Sequence, residues 1–140
     1  ALGFSLGGIV ALYAAQRRPD LFRSLVMLGG SHHAPTPQRL LDVLGPVEER
    51  PEIQQRVFDA HNGVVAGWDR SLEAFRSVTC PALIITGDRD EFHDAEGNLA
   101  LYRAMPNAEL LVVPHADHLG LVRHPLIYQA LMGFYSRVPR

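Results

Sequence analysis

Three short, almost wholly apolar runs limit most strongly how this 140-residue chain can fold. They cover residues 25–28, 82–86 and 110–113. Uninterrupted runs of this length are typical of strands that are covered on both faces, as in a parallel sheet. Helices are predicted before, between and after them, over residues 8–16, 95–105 and 126–138. Strands that alternate with helices predict an α/β fold with a mainly parallel sheet and flanking helices.

The segment 31–75 interrupts this alternation. It contains several prolines. Thr36 and Pro37 are placed as the N-cap and first residue of a short helix, and Pro51 is placed as the start of a second helix. No strand pattern occurs in it. We interpret it as a small helical insertion that covers one end of the sheet, so that the domain limits are 1–30 and 76–140 for the core and 31–75 for the cap. Surface helices packed on the core are the alternative.

Composition narrows the classes of partner and compartment. The net charge is −2 without a run of Lys or Arg, which disfavours nucleic acid or an anionic membrane as a partner. No apolar run approaches the roughly 20 residues that span a bilayer. Cys80 is the single cysteine and is expected to be buried; a reducing, cytoplasmic location is compatible with it. Because the chain opens on Ala1 inside a motif, we expect it to be the C-terminal part of a longer protein whose first strands precede it.

That motif is Gly-x-Ser-x-Gly at residues 3–7. A serine at a sharp strand-to-helix turn projects its hydroxyl clear of the sheet, and the turn leaves no room for side chains nearby. Gly3 and Gly7 are expected to meet that requirement. A helix that starts near Leu6 would point its first N–H groups at Ser5, with the N–H of Leu6 as a donor to an oxyanion.

Polar residues follow the predicted strands at the edge where parallel sheets bind ligands. Ser5 follows the end of a strand at the start of the chain. Asp88 and Asp90 follow the run 82–86, and His115 and His118 follow the run 110–113. The order serine, carboxylate, histidine is the one that a strand–serine–helix turn requires for nucleophilic catalysis.

Residues 3–8, 83–90 and 113–118 resemble the three signatures of the α/β-hydrolase superfamily. The resemblance covers the whole chain, matched to roughly the second half of a family member. It implies that Ser5 is the nucleophile, Asp90 the acid and His118 the base of a catalytic triad, and that residues 31–75 form a cap domain. Asp88 is then expected to cap its turn and His115 to be a loop residue.

The resemblance implies a serine hydrolase that cleaves a carboxylic ester or related small carbonyl substrate through an acyl-enzyme, without a cofactor. Phe4, Trp68 and His93 are expected to contact the substrate. The family's second oxyanion donor comes from a loop early in the sheet, which is absent from this sequence. Asp117 stands where the family often has glycine. The remaining histidines are expected to be solvated loop or cap residues: His32, His33, His61, His93 and His124.

Several alternatives remain open at this stage. The spacing of His115 and His118 resembles half of a dinuclear zinc signature, although Val113 replaces its leading histidine. A non-catalytic ligand-binding protein could use the same fold. Within the fold, a C–C bond hydrolase, acyltransferase, lactonase or cofactor-free haloperoxidase is compatible with Ser5, whereas a dehalogenase or epoxide hydrolase would place aspartate there.

Overall fold

Four parallel strands make the sheet at the centre of the computed structural model, which describes residues 1–45, 52, 55–56, 59–60, 63 and 66–139. In chain order they are β1 Leu2–Phe4, β2 Leu25–Leu28, β3 Ala82–Gly87 and β4 Ala108–Val113. They lie side by side in the same order, and each pairs in parallel with the next. Their carboxyl ends therefore meet at one edge, where the candidate site lies.

Within residues 1–45 and 66–139, five α-helices connect and flank the strands. They are α1 Leu6–Arg17, α2 Pro37–Leu44, α3 Ala95–Ala104, α4 His118–Arg123 and α5 Pro125–Arg137, with short 3-10 helices at Pro19–Leu21 and Leu72–Ser77. The predicted fold class, α/β with a mainly parallel sheet, is confirmed. Strand β4 begins two residues earlier than predicted because its ladder with β3 starts at the pair Ala82 and Ala108.

The core has two halves, one on each face of the sheet. Successive strand residues point to opposite faces. Leu25, Met27 and Ile84 accordingly pack in one cluster with residues of α1 and α3, and Val26 and Ile85 in the other with residues of α4 and α5. This double coverage explains why the strands are nearly continuous apolar runs.

Helix α1 is apolar on nearly every side, yet it is buried on one face only. Ile9 and Leu12 are buried against the sheet, but Val10 is 45% exposed and Leu6 42% exposed. The helix covers the sheet with one face, so its outward apolar residues stay at the surface.

The described part of the segment 31–75 contains helix α2 and the first residues of the 3-10 helix Leu72–Ser77, joined by turns and irregular loops. Helix α2 begins as predicted: Pro37 is its first residue, and the Thr36 hydroxyl accepts the N–H of Arg39 at 3.2 Å. Pro51 and most of the helix predicted to start there lie outside the described residues. Within the described part of the chain, no helix is long and apolar enough to cross a membrane.

Cys80 is buried as expected, and burial raises the pKa of its thiol. A thiol held protonated in an apolar environment is a packing residue rather than a nucleophile.

Candidate active site

Ser5 alone forms the turn between β1 and α1. Its backbone has φ 52° and ψ −125°, a conformation with positive φ that residues other than glycine rarely adopt. Three hydrogen bonds hold it there: its N–H donates to the carbonyl of Leu28 at 2.9 Å, and its carbonyl accepts the N–H groups of Gly8 and Ile9. The strained turn directs the serine side chain away from the sheet, beyond the strand ends.

The glycines around Ser5 carry unequal steric demands. A Cβ atom on Gly3 would lie 2.3 Å from the carbonyl oxygen of Gly7, whereas one on Gly7 would meet nothing within 4 Å. The expectation for Gly7 is therefore wrong. Its place is taken by Gly8, where a Cβ atom would lie 2.9 Å from both the Gly3 carbonyl oxygen and the Met27 side chain. The first turn of α1 crosses β1 with Gly8 facing the strand, and Gly7 faces outward.

The two motif glycines should respond in opposite directions to replacement by alanine. Gly3→Ala is expected to lower the free energy of unfolding by about 3 kcal/mol, because backbone atoms surround the added methyl group. Gly7→Ala is expected to raise it by about 0.5–1 kcal/mol, since alanine favours the helix and the space is open. Urea unfolding of both variants measures the difference; equal destabilisation would contradict the packing described here.

Three side chains from three strand ends form a hydrogen-bonded chain at this edge. His118 Nδ1 lies 2.9 Å from Asp90 Oδ2, and His118 Nε2 lies 3.0 Å from Ser5 Oγ. The Asp90 side chain is fully buried and that of His118 is 8% exposed. With Nδ1–H donating to the Asp90 carboxylate, the His118 Nε2 atom is placed to accept the Ser5 hydroxyl. The serine, carboxylate and histidine that follow the strands in chain order are thus in contact in the folded protein.

The carboxylate of Asp90 is fixed on both oxygens. Besides His118, it accepts the backbone N–H groups of Phe92 at 2.9 Å and His93 at 3.0 Å. Burial raises the pKa of Asp90, but these hydrogen bonds outweigh burial and hold the pKa below its usual range. Asp90 is therefore ionised at neutral pH. Asp88, two residues earlier, is exposed and takes no part in this network.

His93 and His32 are buried, contrary to the expectation that they are solvated. His93 is 3% exposed, its ring centre lies 5.9 Å from that of His118, and its Nε2 has no partner among the described residues. The backbone N–H of His93 donates to the buried Asp90 carboxylate, and this hydrogen bond holds the turn that contains His93 against the protein interior. Burial lowers the pKa of His93 to about 4. His32 is 5% exposed, and burial likewise lowers its pKa to about 4.

This burial predicts a dependence of stability on pH. In the unfolded chain His93 titrates near 6.5, and in the folded protein near 4. The unfolded state therefore binds more protons between these values, and stability is lost as the pH falls from 6.5 to 4, by about 2–3 kcal/mol for this group. His93→Gln should reduce that loss in urea unfolding measured across the window. A His93→Gln variant whose stability depends on pH as strongly as that of the wild type would contradict the assignment.

An open cavity of about 420 Å³ lies over Ser5 and His118. Its wall is mainly apolar and also contains two carboxylates. The remaining lining residues are Phe4, Pro35, Leu40, Val43, Glu91, Phe92, Asp117 and Leu119. The rings of Phe4 and Phe92 lie 5.0 and 4.8 Å from that of His118, so they border the base directly.

Trp68 and His93 lie outside this cavity wall. Trp68 stacks on Tyr13 with ring centres 4.2 Å apart and lines a separate groove along α1. Trp68 packs against the core on the α1 side of the sheet, and His93 is buried. Neither position supports the substrate contact that was expected for these two residues. Phe4 is in the wall, and its contact with substrate stays a prediction.

The N–H of Leu6 is the first of α1. The first N–H groups of a helix lack partners within it, and they carry the positive end of the helix dipole. The first-turn bonds of Gly8 and Ile9 run to the Ser5 carbonyl. The role of Leu6 as an oxyanion donor remains a prediction.

The geometry gives the zinc alternative no support. Within residues 1–45 and 66–139 and the isolated described positions between them, no three metal-ligating side chains come together. Both ring nitrogens of His118 are engaged by Ser5 and Asp90. His115 is exposed, as expected for a loop residue, and its Nδ1 lies 2.7 Å from a guanidinium nitrogen of Arg89.

No protein-family model matches the chain, and no curated protein matches its sequence significantly. Solved structures match it in fold. A thermophilic esterase is 26% identical with a TM-score of 0.70 over 98% of this chain and 65% of its own. An enol-lactonase from Burkholderia xenovorans is 16% identical, with a TM-score of 0.71 over 97% and 65% of the two chains. A serine hydrolase from Cycloclasticus zankles is 19% identical, with a TM-score of 0.67 over 96% and 62%.

These structures are enzymes of the α/β-hydrolase fold, and the protein has part of that fold, as the sequence signatures indicate. The chain spans 62–65% of the length of these three structures.

Proposed function

We propose that the protein is a serine hydrolase that cleaves a carboxylic ester or a related small carbonyl substrate. The observation that carries this proposal is the continuous hydrogen-bonded chain from Ser5 through His118 to a buried, ionised Asp90. A serine hydroxyl is a weak nucleophile, and an adjacent oriented base is the usual means of activating it. The esterase, enol-lactonase and serine hydrolase of the same fold support acyl transfer as the reaction class.

In the proposed mechanism, Ser5 Oγ attacks the substrate carbonyl carbon while His118 Nε2 takes the hydroxyl proton. The carbonyl π electrons move to oxygen, and the oxyanion faces the N–H of Leu6. Asp90 stabilises the imidazolium that forms and keeps its Nδ1–H in place. Collapse of the tetrahedral intermediate expels the alcohol, which receives the proton from His118.

The resulting acyl-enzyme is then hydrolysed by the reverse use of the same groups. Water gives a proton to His118 Nε2 as its oxygen attacks the acyl carbon, and Ser5 leaves with the proton returned to it. The products are a carboxylic acid and an alcohol, and no redox step or cofactor is needed. The mainly apolar cavity wall favours substrates with small apolar acyl groups.

A burst experiment tests this function. The intact protein, mixed rapidly with an excess of p-nitrophenyl butyrate, is expected to release about one equivalent of p-nitrophenol before slower steady turnover, because an acyl-enzyme accumulates. A folded protein that shows neither burst nor turnover on esters with acyl chains of two to eight carbons would favour the non-catalytic binding protein.

A further inference from the structure

Glu91 joins three parts of the candidate site. It directly follows Asp90, and its side chain lines the cavity over Ser5. Its carbonyl oxygen accepts two bonds from the Arg39 guanidinium of α2, at 2.8 Å from Nε and 2.5 Å from Nη2. Its carboxylate oxygen Oε2 accepts the backbone N–H of His118 at 3.2 Å. The residue is thus tied to α2 by its backbone and to the base by its side chain.

The N–H that Glu91 accepts belongs to the first residue of α4. First-turn N–H groups need partners from outside the helix, and carboxylates suit them because they also oppose the helix dipole. Asp117, the N-cap, accepts the N–H of Gly120 at 2.6 Å. Glu91 and Asp117 therefore hold the start of α4 from two sides. Since His118 is that first residue, these contacts set where its imidazole ring lies.

The same two carboxylates supply the negative charge in the cavity wall. Among the described lining residues there is no lysine or arginine, and the other members, apart from Ser5 and His118, are apolar. The Arg39 guanidinium is bound to the Glu91 carbonyl and does not line the cavity. Glu91 and Asp117 are both exposed, so solvent weakens their field, but a substrate carboxylate placed there would still face two like charges without a counter-ion from these residues.

We propose that Glu91 is a positioning residue for His118 and that its charge makes the site select neutral acyl groups over anionic ones. The proposal rests on the hydrolase function proposed above. It separates two properties of one side chain: the oxygen that accepts the His118 N–H, and the negative charge that faces the cavity. Glutamine keeps the first and loses the second, whereas alanine loses both.

The test compares Glu91→Gln and Glu91→Ala in the intact protein, with Glu96→Gln as the matched control. Glu96 is an exposed acid in the first turn of α3, outside this cavity. Two p-nitrophenyl esters with the same leaving group serve as probes, the neutral butyrate and the hemisuccinate, which ends in a carboxylate. Deuterium uptake at the backbone amide of His118 supplies a readout that needs no turnover.

Glu91→Ala should lower kcat on the butyrate about tenfold and speed exchange at the His118 amide, because the loss of one hydrogen bond to a charged acceptor loosens the base. Glu91→Gln should keep kcat on the butyrate within about twofold and keep the amide protected. It should also reduce the preference of kcat/KM for butyrate over hemisuccinate about threefold, as expected for one exposed charge, and the control should not do so.

Each opposite result overturns a stated part of the proposal. Unchanged amide exchange in Glu91→Ala, or a Gln variant as impaired as the Ala variant, contradicts the positioning role. An unchanged preference between the two esters in Glu91→Gln contradicts the role of charge. A wild-type protein inactive on both esters contradicts the hydrolase function instead, and amide exchange still decides whether Glu91 positions His118.

Discussion

Ser5→Ala is expected to lower kcat for ester hydrolysis by about 10⁴- to 10⁶-fold, with KM changed only a few-fold. The hydroxyl of Ser5 is the group that His118 Nε2 contacts, at 3.0 Å. Its removal leaves no atom to form the acyl bond, while the cavity wall that binds the substrate stays in place. Steady-state kinetics with p-nitrophenyl butyrate measures both constants.

Ser136→Ala is the matched control for this variant. Its hydroxyl is on the exposed surface of α5, where it donates to the carbonyl of Gly133. The control should retain full activity. Loss of less than tenfold in Ser5→Ala, with the control unaffected, would show that the ester is cleaved by something other than this serine.

Asp90→Asn is expected to lower kcat about 10⁴-fold at neutral pH. The buried carboxylate accepts the Nδ1–H of His118 and so leaves Nε2 free to accept the serine proton. An asparagine amide can donate to Nδ1 instead, which places the proton on Nε2 and removes the base. The backbone bonds from Phe92 and His93 need only an oxygen acceptor, so the turn should keep its shape.

Asp88→Asn, on the same turn but exposed, separates this effect from a general change of charge near the site. It should change kcat by less than about twofold, as surface substitutions away from a site generally do. Comparable losses of activity in the two variants would contradict the assignment of Asp90 as the partner of the base.

Strands β2 and β3 were the most predictable, because they are buried on both faces and read as continuous apolar runs. The same property allowed the polar residues after the runs to be placed at one edge of the sheet. Chain order and topology placed Ser5, the pair Asp88 and Asp90, and the pair His115 and His118 at that edge. The resemblance to the α/β-hydrolase superfamily then selected Asp90 and His118 from the two pairs. The distances between them depend on the strained turn at Ser5 and on the backbone donors to Asp90, which no spacing rule contains.

Helix α4 was not predicted because its sequence has no one-sided apolar pattern. Leu119 is 70% exposed and Val122 47% exposed, while Leu121 is buried. Its start is set by capping: Asp117 accepts the N–H of Gly120. The capping role also gives a structural reason for an aspartate where the family often has glycine.

The errors at Gly7 and His93 and the unexpected position of Trp68 share a cause. Each depends on which way a side chain faces once elements pack, and that is a tertiary property. His93 had one usable signal, its place three residues after Asp90, where an N–H can reach back to the carboxylate in a tight turn. Nothing in the local sequence around Trp68 indicates that it stacks on Tyr13.

The most direct test of the central claim, that Ser5 is an activated nucleophile, is intact-mass labelling of the protein with a fluorophosphonate. We expect a single adduct, located by peptide mapping to the segment that contains Ser5, and no adduct in Ser5→Ala. A folded wild-type protein that gains no adduct, or an adduct that persists in Ser5→Ala, would contradict it.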